Sequence, residues 1–170
     1  MTQPRLSIRD AQPGDTPAIQ RIVSTVLAEF RLPFNLNTTD ADLRDVAGSY
    51  VARGGAFRVL VDGENEVVGC GGLFQKSDDE AELRKMYFMP AVRGLGYGHA
   101  LLDNLIQFAR ARGYKRVVLE SASQLTTAIG MYQRYGFTDI GPATKTTRCD
   151  VRMGMDVQTR DQGPETRDRG

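Results

Sequence analysis

A glycine-rich segment at residues 93–99, Arg-Gly-Leu-Gly-Tyr-Gly-His, is the part of the chain best suited to binding a ligand. It follows an apolar, strand-like run closed by Pro90, and an apolar helical stripe begins just after Gly98. Free backbone N–H groups at the start of a helix and the helix dipole favour anions, and glycine lets a phosphate approach the backbone closely. Arg93 adds a full positive charge. The segment is therefore predicted to bind a phosphate or pyrophosphate.

The spacing of the glycines decides which phosphate ligand fits. In the dinucleotide motif G-x-G-x-x-G the third glycine would fall on His99, and the P-loop ending G-K-[ST] is missing from the segment. The register instead reads Arg93-x-x-Gly96-x-Gly98, and AIGMYQRYGF follows at residues 128–137. The first pattern resembles the pyrophosphate loop R/Q-x-x-G-x-G/A of the Gcn5-related N-acetyltransferases (the GNAT superfamily), and the second resembles the family's A-x-x-x-Y-x-x-x-G-F signature.

The resemblance implies acetyl-coenzyme A (acetyl-CoA) as a co-substrate and no metal. By this resemblance, backbone amides of the glycine-rich segment hold the coenzyme pyrophosphate, and the strand before it hydrogen-bonds the pantetheine arm and the acetyl carbonyl. The implied coenzyme-binding residues are Met86, Tyr87, Phe88, Arg93, Gly94, Leu95, Gly96, Tyr97, Gly98 and His99. The His99 side chain itself is expected to be an exposed helix residue, because a single histidine without a partner motif is weak evidence of catalysis.

Tyr132 is the candidate proton donor. The resemblance matches it to the tyrosine that, in many family members, donates a proton or a hydrogen bond to the departing thiolate. Tyrosine titrates near ~10 and a thiol near ~8.5, so complete proton transfer is uphill by only ~2 kcal/mol, and a hydrogen bond alone stabilises the leaving group. A buried aromatic residue in the core is the structural alternative for this position.

Glu82 and Glu120 are the candidate bases. An alkylamine with a pKa near ~10.4 loses its proton at pH 7 at a cost of ~4.6 kcal/mol, so a base or a water relay assists. The resemblance matches Glu82 to the base of histone-acetylating members and Glu120 to that of ribosomal-protein N-terminal acetyltransferases, and we slightly favour Glu82. The two-residue period of a strand puts Glu82 on one face with Arg84, Met86 and Phe88. Arg84 would there neutralise Glu82 or hold an anionic substrate, and a solvated strand-end charge is the alternative for both carboxylates.

One position departs from the family pattern. Family members often carry asparagine where this chain has Leu125, at the start of the last catalytic helix. Leucine has no group that hydrogen-bonds the coenzyme or the nearby backbone, so the thiol pocket is expected to differ in detail. The glycine-rich segment is not affected by this change.

The elements that must position these residues follow the order β-α-α-β-β-β-α-β-α-β-β. Predicted strands cover residues 5–9, two runs joined at Asp62-Gly63, 80–89, 115–120, 137–141 and 147–156; predicted helices cover a stripe from Ile19 to Phe30, 40–52, 98–113 and 125–135. This is an α/β fold class, and the resemblance specifies a single mixed, mostly antiparallel sheet flanked by helices, the GNAT or acyl-CoA N-acyltransferase fold. One domain is predicted at residues 1–156, with a disordered polar tail at 157–170.

Composition narrows the partners and the compartment. The 170 residues include 22 Lys and Arg against 21 Asp and Glu, a net charge of +1, which predicts neither a nucleic-acid partner nor an anionic membrane. No apolar run approaches the roughly 20 residues that span a bilayer. Cys70 and Cys149 lack metal-ligand spacing and are expected to be reduced thiols of a cytoplasmic protein. A homodimer is left open.

These expectations combine in an N-acetyltransferase that moves the acetyl group of acetyl-CoA to a primary amine of a small molecule or amino acid, by direct transfer in a ternary complex. Neither cysteine lies in a motif position, so no covalent intermediate is expected. A small acceptor is favoured over a protein because no acidic run offers a docking surface for basic tails. Two alternatives stay open: a catalytically silent acyl-CoA sensor, which would not need Tyr132, and a protein N-terminal or lysine acetyltransferase.

Overall fold

Seven strands form one sheet in the computed structural model, which describes residues 5–143 and 148–158. The strands are Ser7–Asp10 (β1), Ala56–Val61 (β2), Val67–Gln75 (β3), Glu80–Phe88 (β4), Arg116–Ser121 (β5), Thr138–Asp139 (β6) and Val151–Asp156 (β7). Their order across the sheet is β1-β2-β3-β4-β5-β7-β6. Within the described chain, β4 and β5 pair in parallel and the other neighbours are antiparallel. The predicted α/β class with a mixed, mostly antiparallel sheet is confirmed.

Helices cover both faces of this sheet. They are Thr16–Glu29 (α1), Val46–Ser49 (α2), Tyr97–Arg112 (α3) and Thr126–Tyr135 (α4). On one face, called here the α1 face, Ile19 and Val23 of α1 are buried together with Val59 of β2. On the opposite face, called the α3 face, Leu105 of α3 is buried together with Leu83 of β4, and α4 packs into the same cluster.

The predicted helix over residues 40–52 is wrong in its extent. A 3₁₀ turn covers Ala41–Arg44, the α-helical part is the single turn of α2, and a second 3₁₀ turn covers Val51–Arg53. The helix is interrupted because the Asp45 carboxylate caps a new start, accepting a hydrogen bond from Gly48 N–H at 2.9 Å. The connection that results runs along the α1 face beside β4.

Three predicted boundaries also shift. The turn at Asp62-Gly63 widens to residues 62–66, because the Asp62 carboxylate accepts hydrogen bonds at 2.9 Å from the N–H groups of Glu64 and Glu66. The strand predicted over 137–141 is the two-residue β6, and the one predicted over 147–156 begins at Val151. Residue 147 itself lies outside the described part of the chain.

The chain after β7 begins packed against the domain. Val157 is buried in the α3-face cluster, and the Gln158 side-chain amide donates to the Tyr114 carbonyl at 2.7 Å. The rest of the predicted tail, residues 159–170, lies outside the described residues, as do residues 1–4 and 144–147.

A β-bulge in β4 changes which of its residues share a face. Between the pairs Gly72↔Arg84 and Cys70↔Tyr87 the register of β3 and β4 shifts by one residue, and Lys85 there adopts φ +57°. An extra residue in a strand reverses the alternation of the side chains that follow it.

The bulge overturns the prediction that Glu82, Arg84, Met86 and Phe88 lie on one face. The Arg84 guanidinium lies 3.8 Å from the centroid of the Phe74 ring, which belongs to the α1 face. Met86 and Phe88 instead pack against the α3-face cluster. Arg84 and Tyr87 therefore face α1, whereas Met86 and Phe88 face α3.

Candidate active site

A cleft of about 600 Å³ opens where β4 and β5 separate. Their parallel pairing runs from Glu80↔Arg116 to Leu83↔Leu119 and stops there, although both strands continue. Of the predicted site residues, the cleft is lined by Glu82, Met86, Tyr87, Phe88, Arg93, Gly94, Gly96, Gly98, His99, Glu120 and Tyr132. Leu95 and Tyr97 are not part of its lining. The structure thus brings the coenzyme segment and all three predicted catalytic residues to one cavity.

The three glycines of the loop serve two different purposes. Gly94 and Gly96 adopt φ +76° and +89°, a left-handed backbone that favours glycine. Gly96 is the N-cap residue of α3 and makes no side-chain hydrogen bond, so the first N–H groups of the helix depend on an outside acceptor. Gly98 has another role, since a Cβ there would meet the Met131 sulfur at 3.1 Å. It lets α3 and α4 approach closely.

Gly96→Ala is expected to raise the Kd for coenzyme A by about 10-fold. A left-handed backbone costs a residue with a Cβ roughly 1–2 kcal/mol, and relaxing that strain moves the N–H groups at the start of α3. Isothermal titration with coenzyme A measures the effect. Gly63→Ala, in the exposed loop after β2 where a Cβ meets no atom within 4 Å, is the matched control. Unchanged affinity in Gly96→Ala would remove this loop from coenzyme binding.

Arg93 ties the glycine-rich loop to two other elements. Its Nη1 and Nη2 atoms each lie 2.8 Å from a carboxylate oxygen of Glu29, at the end of α1. Its Nε donates to the Phe88 carbonyl of β4 at 2.9 Å. The hydrogen bond from Arg93 lowers the pKa of the Glu29 carboxyl group. The sequence predicted a cation at the rim of the loop, and the structure adds Glu29, a partner that no motif indicates.

The end of β4 directs one backbone N–H toward the cleft. Met89 N–H donates to the Val68 carbonyl at 2.9 Å, and Tyr87 is paired with Cys70 two residues earlier. In an antiparallel ladder, residues between such hydrogen-bonded pairs point their peptide groups away from the partner strand. Phe88 therefore directs its N–H away from β3, toward the side on which β5 has separated. Its carbonyl accepts from Arg93, which leaves the N–H as the donor for a ligand.

Tyr132 lies in α4 and reaches the cleft from the α3 face. Its ring is buried, 5.9 Å from the Phe137 ring in an edge-on contact. Burial raises the pKa of Tyr132 well above the ordinary tyrosine value, with a smaller contribution from Tyr87. Among the described residues no group hydrogen-bonds its hydroxyl. The phenol is therefore neutral at physiological pH and available to a ligand as a donor.

Glu82 is held between two cations. One carboxylate oxygen is hydrogen-bonded to Nε of Arg84, and the other lies 3.5 Å from Nζ of Lys76. Both oxygens of Glu82 are therefore in contact with cations of the protein.

Glu120 lies near the end of β5, just past the point where the pairing with β4 stops. Val117 and Leu119 belong to the α3-face cluster, so alternation along the strand directs Glu120 to the α1 face. Because Glu82 pairs with Val118, residues two positions further along each strand bring Arg84 level with Glu120 across the opening. The α1 side of the cleft thus carries Glu82, Arg84 and Glu120 together.

A buried charge network lies next to the α1 side of the cleft, and no sequence pattern predicted it. Lys85 Nζ lies 3.1 Å from Asp40, 3.3 Å from Asp42 and 3.3 Å from the Thr39 carbonyl. Both terminal nitrogens of Arg148 lie 3.1 Å from the same Asp40, whose side chain is fully buried. The bulge of β4 directs Lys85 into this position. The network anchors the connection between α1 and α2 to β4 and to the segment before β7.

His99 and Leu125 have the local structure that the sequence indicates. His99 is exposed in the first turn of α3, with its ring 5.4 Å from that of Tyr135. Leu125 occupies the N-cap position of α4 and makes no side-chain capping hydrogen bond. Leu125 lines the cleft together with Thr126 and Thr127.

Comparison with known proteins decides the family to which this cleft belongs. The sequence model of the Acetyltransferase (GNAT) family matches residues 23–137. The chain belongs to the GNAT family. One GNAT relative, the uncharacterized N-acetyltransferase YjgM of Escherichia coli, is 40% identical over 147 residues, covering 82% of this chain and 87% of the relative. An amino-acid acetyltransferase of Mycobacterium tuberculosis is 34% identical over 133 residues, covering 78% of this chain and 68% of the relative.

A solved structure supports the same GNAT fold. The structure of yncA from Salmonella typhimurium with its cofactor acetyl-CoA has a TM-score of 0.74 and 23% identity, covering 95% of this chain and 98% of that chain. As a GNAT protein, the chain is an acetyl-CoA-dependent N-acetyltransferase. Within residues 5–143 and 148–158, no cluster of His, Cys, Asp or Glu side chains is suited to holding a metal ion, and no helix combines the length and apolarity needed to cross a membrane.

Proposed function

We propose that this GNAT protein acetylates the primary amine of a small molecule or amino acid, by direct transfer while both substrates are bound. One observation carries the proposal: the two faces of the sheet supply complementary groups to one cleft. Tyr132, a neutral donor, comes from the α3 face, and Glu120, a carboxylate, lies on the α1 face. An amine entering from the α1 side and a thiolate leaving on the α3 side would each find the group that their chemistry needs.

The proposed reaction forms one bond and breaks one. Glu120 takes a proton from the ammonium of the acceptor, and the amine nitrogen then attacks the thioester carbonyl carbon. The negative charge that develops on the carbonyl oxygen is stabilised by Phe88 N–H. The C–S bond breaks as the C–N bond is completed, and the Tyr132 hydroxyl donates a hydrogen bond or its proton to the sulfur. The second proton of the nitrogen returns through solvent to Tyr132 or to the thiolate, and Glu120 releases the first proton to solvent. The products are the N-acetyl amide, the thiol of coenzyme A and one proton.

Glu120 is proposed as the base in place of Glu82, which the sequence slightly favours. The reason is position: Glu82 lies where β4 and β5 are still paired, whereas Glu120 lies past the last pair, where the strands separate and the cleft opens. Glu82 is then a positioning residue, whose ion pair orients Arg84.

Glu120→Gln is expected to lower kcat about 100-fold at pH 7, in the range usual for loss of a general base. The difference in kcat between the wild type and Glu120→Gln should become smaller as the pH rises toward 9.5, because a growing fraction of the amine is then already neutral. A kcat profile between pH 6.5 and 9.5 measures this. Glu82→Gln is the matched control and should keep the pH response of the wild type. If only Glu82→Gln loses kcat at pH 7 and recovers it at alkaline pH, the base is Glu82. If neither variant behaves in this way, the base is water.

The amino-acid part of the proposal is supported by a relative. The Mycobacterium tuberculosis protein that is 34% identical to this chain is named an amino-acid acetyltransferase. A silent acyl-CoA sensor is the less favoured candidate, because binding alone would need no neutral phenol and no carboxylate in the cleft.

Two measurements test the proposed function. Coenzyme A should raise the Tm of the protein, whereas ATP and NAD should not. Thiol release from acetyl-CoA should then depend on an added amine, in a panel of amino acids, polyamines, aromatic amines and peptides. Stabilisation by coenzyme A without amine-dependent thiol release over the whole panel would favour the sensor. Stabilisation by ATP or NAD alone would overturn the assignment of the loop.

A further inference from the structure

We propose that Arg84 binds a carboxylate of the acceptor, so that the substrate is an amine that also carries a carboxylate group, of the α-amino acid class. This inference rests on the proposed function of the same cleft and narrows its substrate class. The argument depends on which cation of the α1 side still has hydrogen-bond donors to offer a ligand.

Besides Arg84, the described cations Lys85 and Arg148 line this side of the cleft, and both direct donors to the protein. Lys85 has three N–H groups, and it has three acceptors: the carboxylates of Asp40 and Asp42 and the Thr39 carbonyl. Arg148 uses both terminal nitrogens on Asp40, and its Nη1 also donates to the Pro33 carbonyl at 3.0 Å. The three N–H groups of Lys85 are thus matched by three acceptors, and the Asp40 carboxylate already faces both terminal nitrogens of Arg148.

Arg84 differs from both. Its Nε is bound to Glu82, but among the described residues its terminal nitrogens Nη1 and Nη2 have no acceptor. The central carbon of the guanidinium lies 3.8 Å from the centroid of the Phe74 ring, so packing as well as charge holds the group in place. The side chain is 27% exposed and lines the cleft. A pre-oriented guanidinium with two available terminal nitrogens matches the geometry of a carboxylate.

The position of Arg84 relative to the proposed base fits an amino acid. Arg84 in β4 and Glu120 in β5 each follow the last paired residues, Leu83 and Leu119, by one position, and both line the cleft. An α-amino acid carries its ammonium and carboxylate on one carbon, so it can present the carboxylate to Arg84 and the ammonium to Glu120. An amine without an anionic group leaves the donors of Arg84 unpaired, which is costly in a half-buried site.

The test compares each of the twenty protein α-amino acids with its α-carboxamide as acceptor. The wild type should show kcat/KM about 10- to 100-fold higher for the acids that it uses than for their carboxamides, the range expected for charge-assisted hydrogen bonds. The comparison is stringent because the amine of a carboxamide loses its proton more readily than that of the acid, which by itself favours acetylation of the carboxamide. Arg84→Gln should reduce the acid-to-amide ratio to near 1, mainly through the KM for the acid, and Arg84→Lys should give an intermediate ratio.

A matched control separates binding from packing. Arg53 lies on the same Phe74 ring at 4.7 Å but does not line the cleft, so Arg53→Gln should keep the wild-type ratio.

If the wild type acetylates carboxamides as well as acids, or if Arg84→Gln keeps the acid preference, this inference fails while the proposed function stands. If no amine is acetylated, the proposed function fails, and titration of coenzyme A-loaded protein with the acids and amides decides the inference. Weaker binding of the acids to Arg84→Gln would support it, and equal binding would overturn it.

Discussion

Tyr132→Phe is expected to lower kcat by about 100-fold or more while changing the Kd for coenzyme A by less than about twofold. The phenol hydroxyl is the neutral donor that reaches the cleft from the α3 face, and loss of a positioned proton donor typically costs this much in rate. Phenylalanine keeps the edge-on contact with Phe137, so the helix should stay in place. Steady-state kinetics and isothermal titration with coenzyme A measure the two quantities.

The pH dependence of the wild type tests the same role. Because burial raises the pKa of Tyr132 above its ordinary value near ~10, the hydroxyl stays protonated through the alkaline range in which most acceptor amines become neutral. The wild-type kcat should therefore rise toward pH 9.5 without a decline from ionisation of tyrosine. Tyr135→Phe is the matched control: it removes a hydroxyl from the same helix that is bound to Asp103 at 2.8 Å, and kcat should stay close to that of the wild type. Equal rates for Tyr132→Phe and Tyr135→Phe would exclude Tyr132 from the mechanism.

Asp40→Asn is expected to lower the free energy of unfolding by about 3–5 kcal/mol, the cost of breaking a buried ion pair by neutralising one partner. The Asp40 side chain is fully buried, and it is bound by both Lys85 and Arg148. Asparagine at this position carries no negative charge, so the positive charges of Lys85 and Arg148 are less fully neutralised beside the cleft. Urea denaturation of the wild type and the variant at pH 7 measures the difference.

The stability that Asp40 contributes should depend on pH with a definite sign. Burial alone would raise the pKa of Asp40, but hydrogen bonds from Arg148 and from Asn35 N–H, with the charges of Lys85 and Arg148, together lower it. A folded-state pKa below the unfolded value of about 3.9 means that the stabilisation is present above about pH 4 and is lost as the pH falls through the folded-state pKa. The gap between wild type and Asp40→Asn should therefore be largest near neutral pH and shrink in acid.

An exposed ion pair supplies the control for this prediction. Lys115 and Asp79 lie 3.6 Å apart with most of both side chains exposed. Surface pairs of this kind contribute about 0–1 kcal/mol, so Asp79→Asn should change the unfolding free energy by less than about 1 kcal/mol. If Asp40→Asn lowers the unfolding free energy by no more than Asp79→Asn, the buried charge network does not stabilise the α1 side of the cleft.

Most of the residues that local motifs indicate line the cleft, whereas Leu95 and Tyr97 of the glycine-rich segment do not. Arg93, Gly96, Gly98 and Tyr132 all belong to short patterns, and spacing along a helix or loop determines where such residues point. The bulge in β4 has no comparable signal. Lys85 is not a glycine, yet it adopts a left-handed backbone there, and the two-residue period assigned Met86 to the wrong face as a consequence.

Local spacing predicted the order of the elements, and the resemblance to the GNAT family added the candidate coenzyme loop and the candidate proton donor. Each depends on contacts between residues close together in the chain, or on the chemistry of a single side chain. The tertiary structure alone brought Asp40 to Lys85 and Arg148, Glu29 to Arg93, and Arg84 to the level of Glu120. These contacts join residues far apart in sequence, and their partners depend on strand register and on one inserted residue. The signature of the GNAT family was thus encoded locally, whereas the contacts on the α1 side of the cleft were decided by how the sheet is assembled.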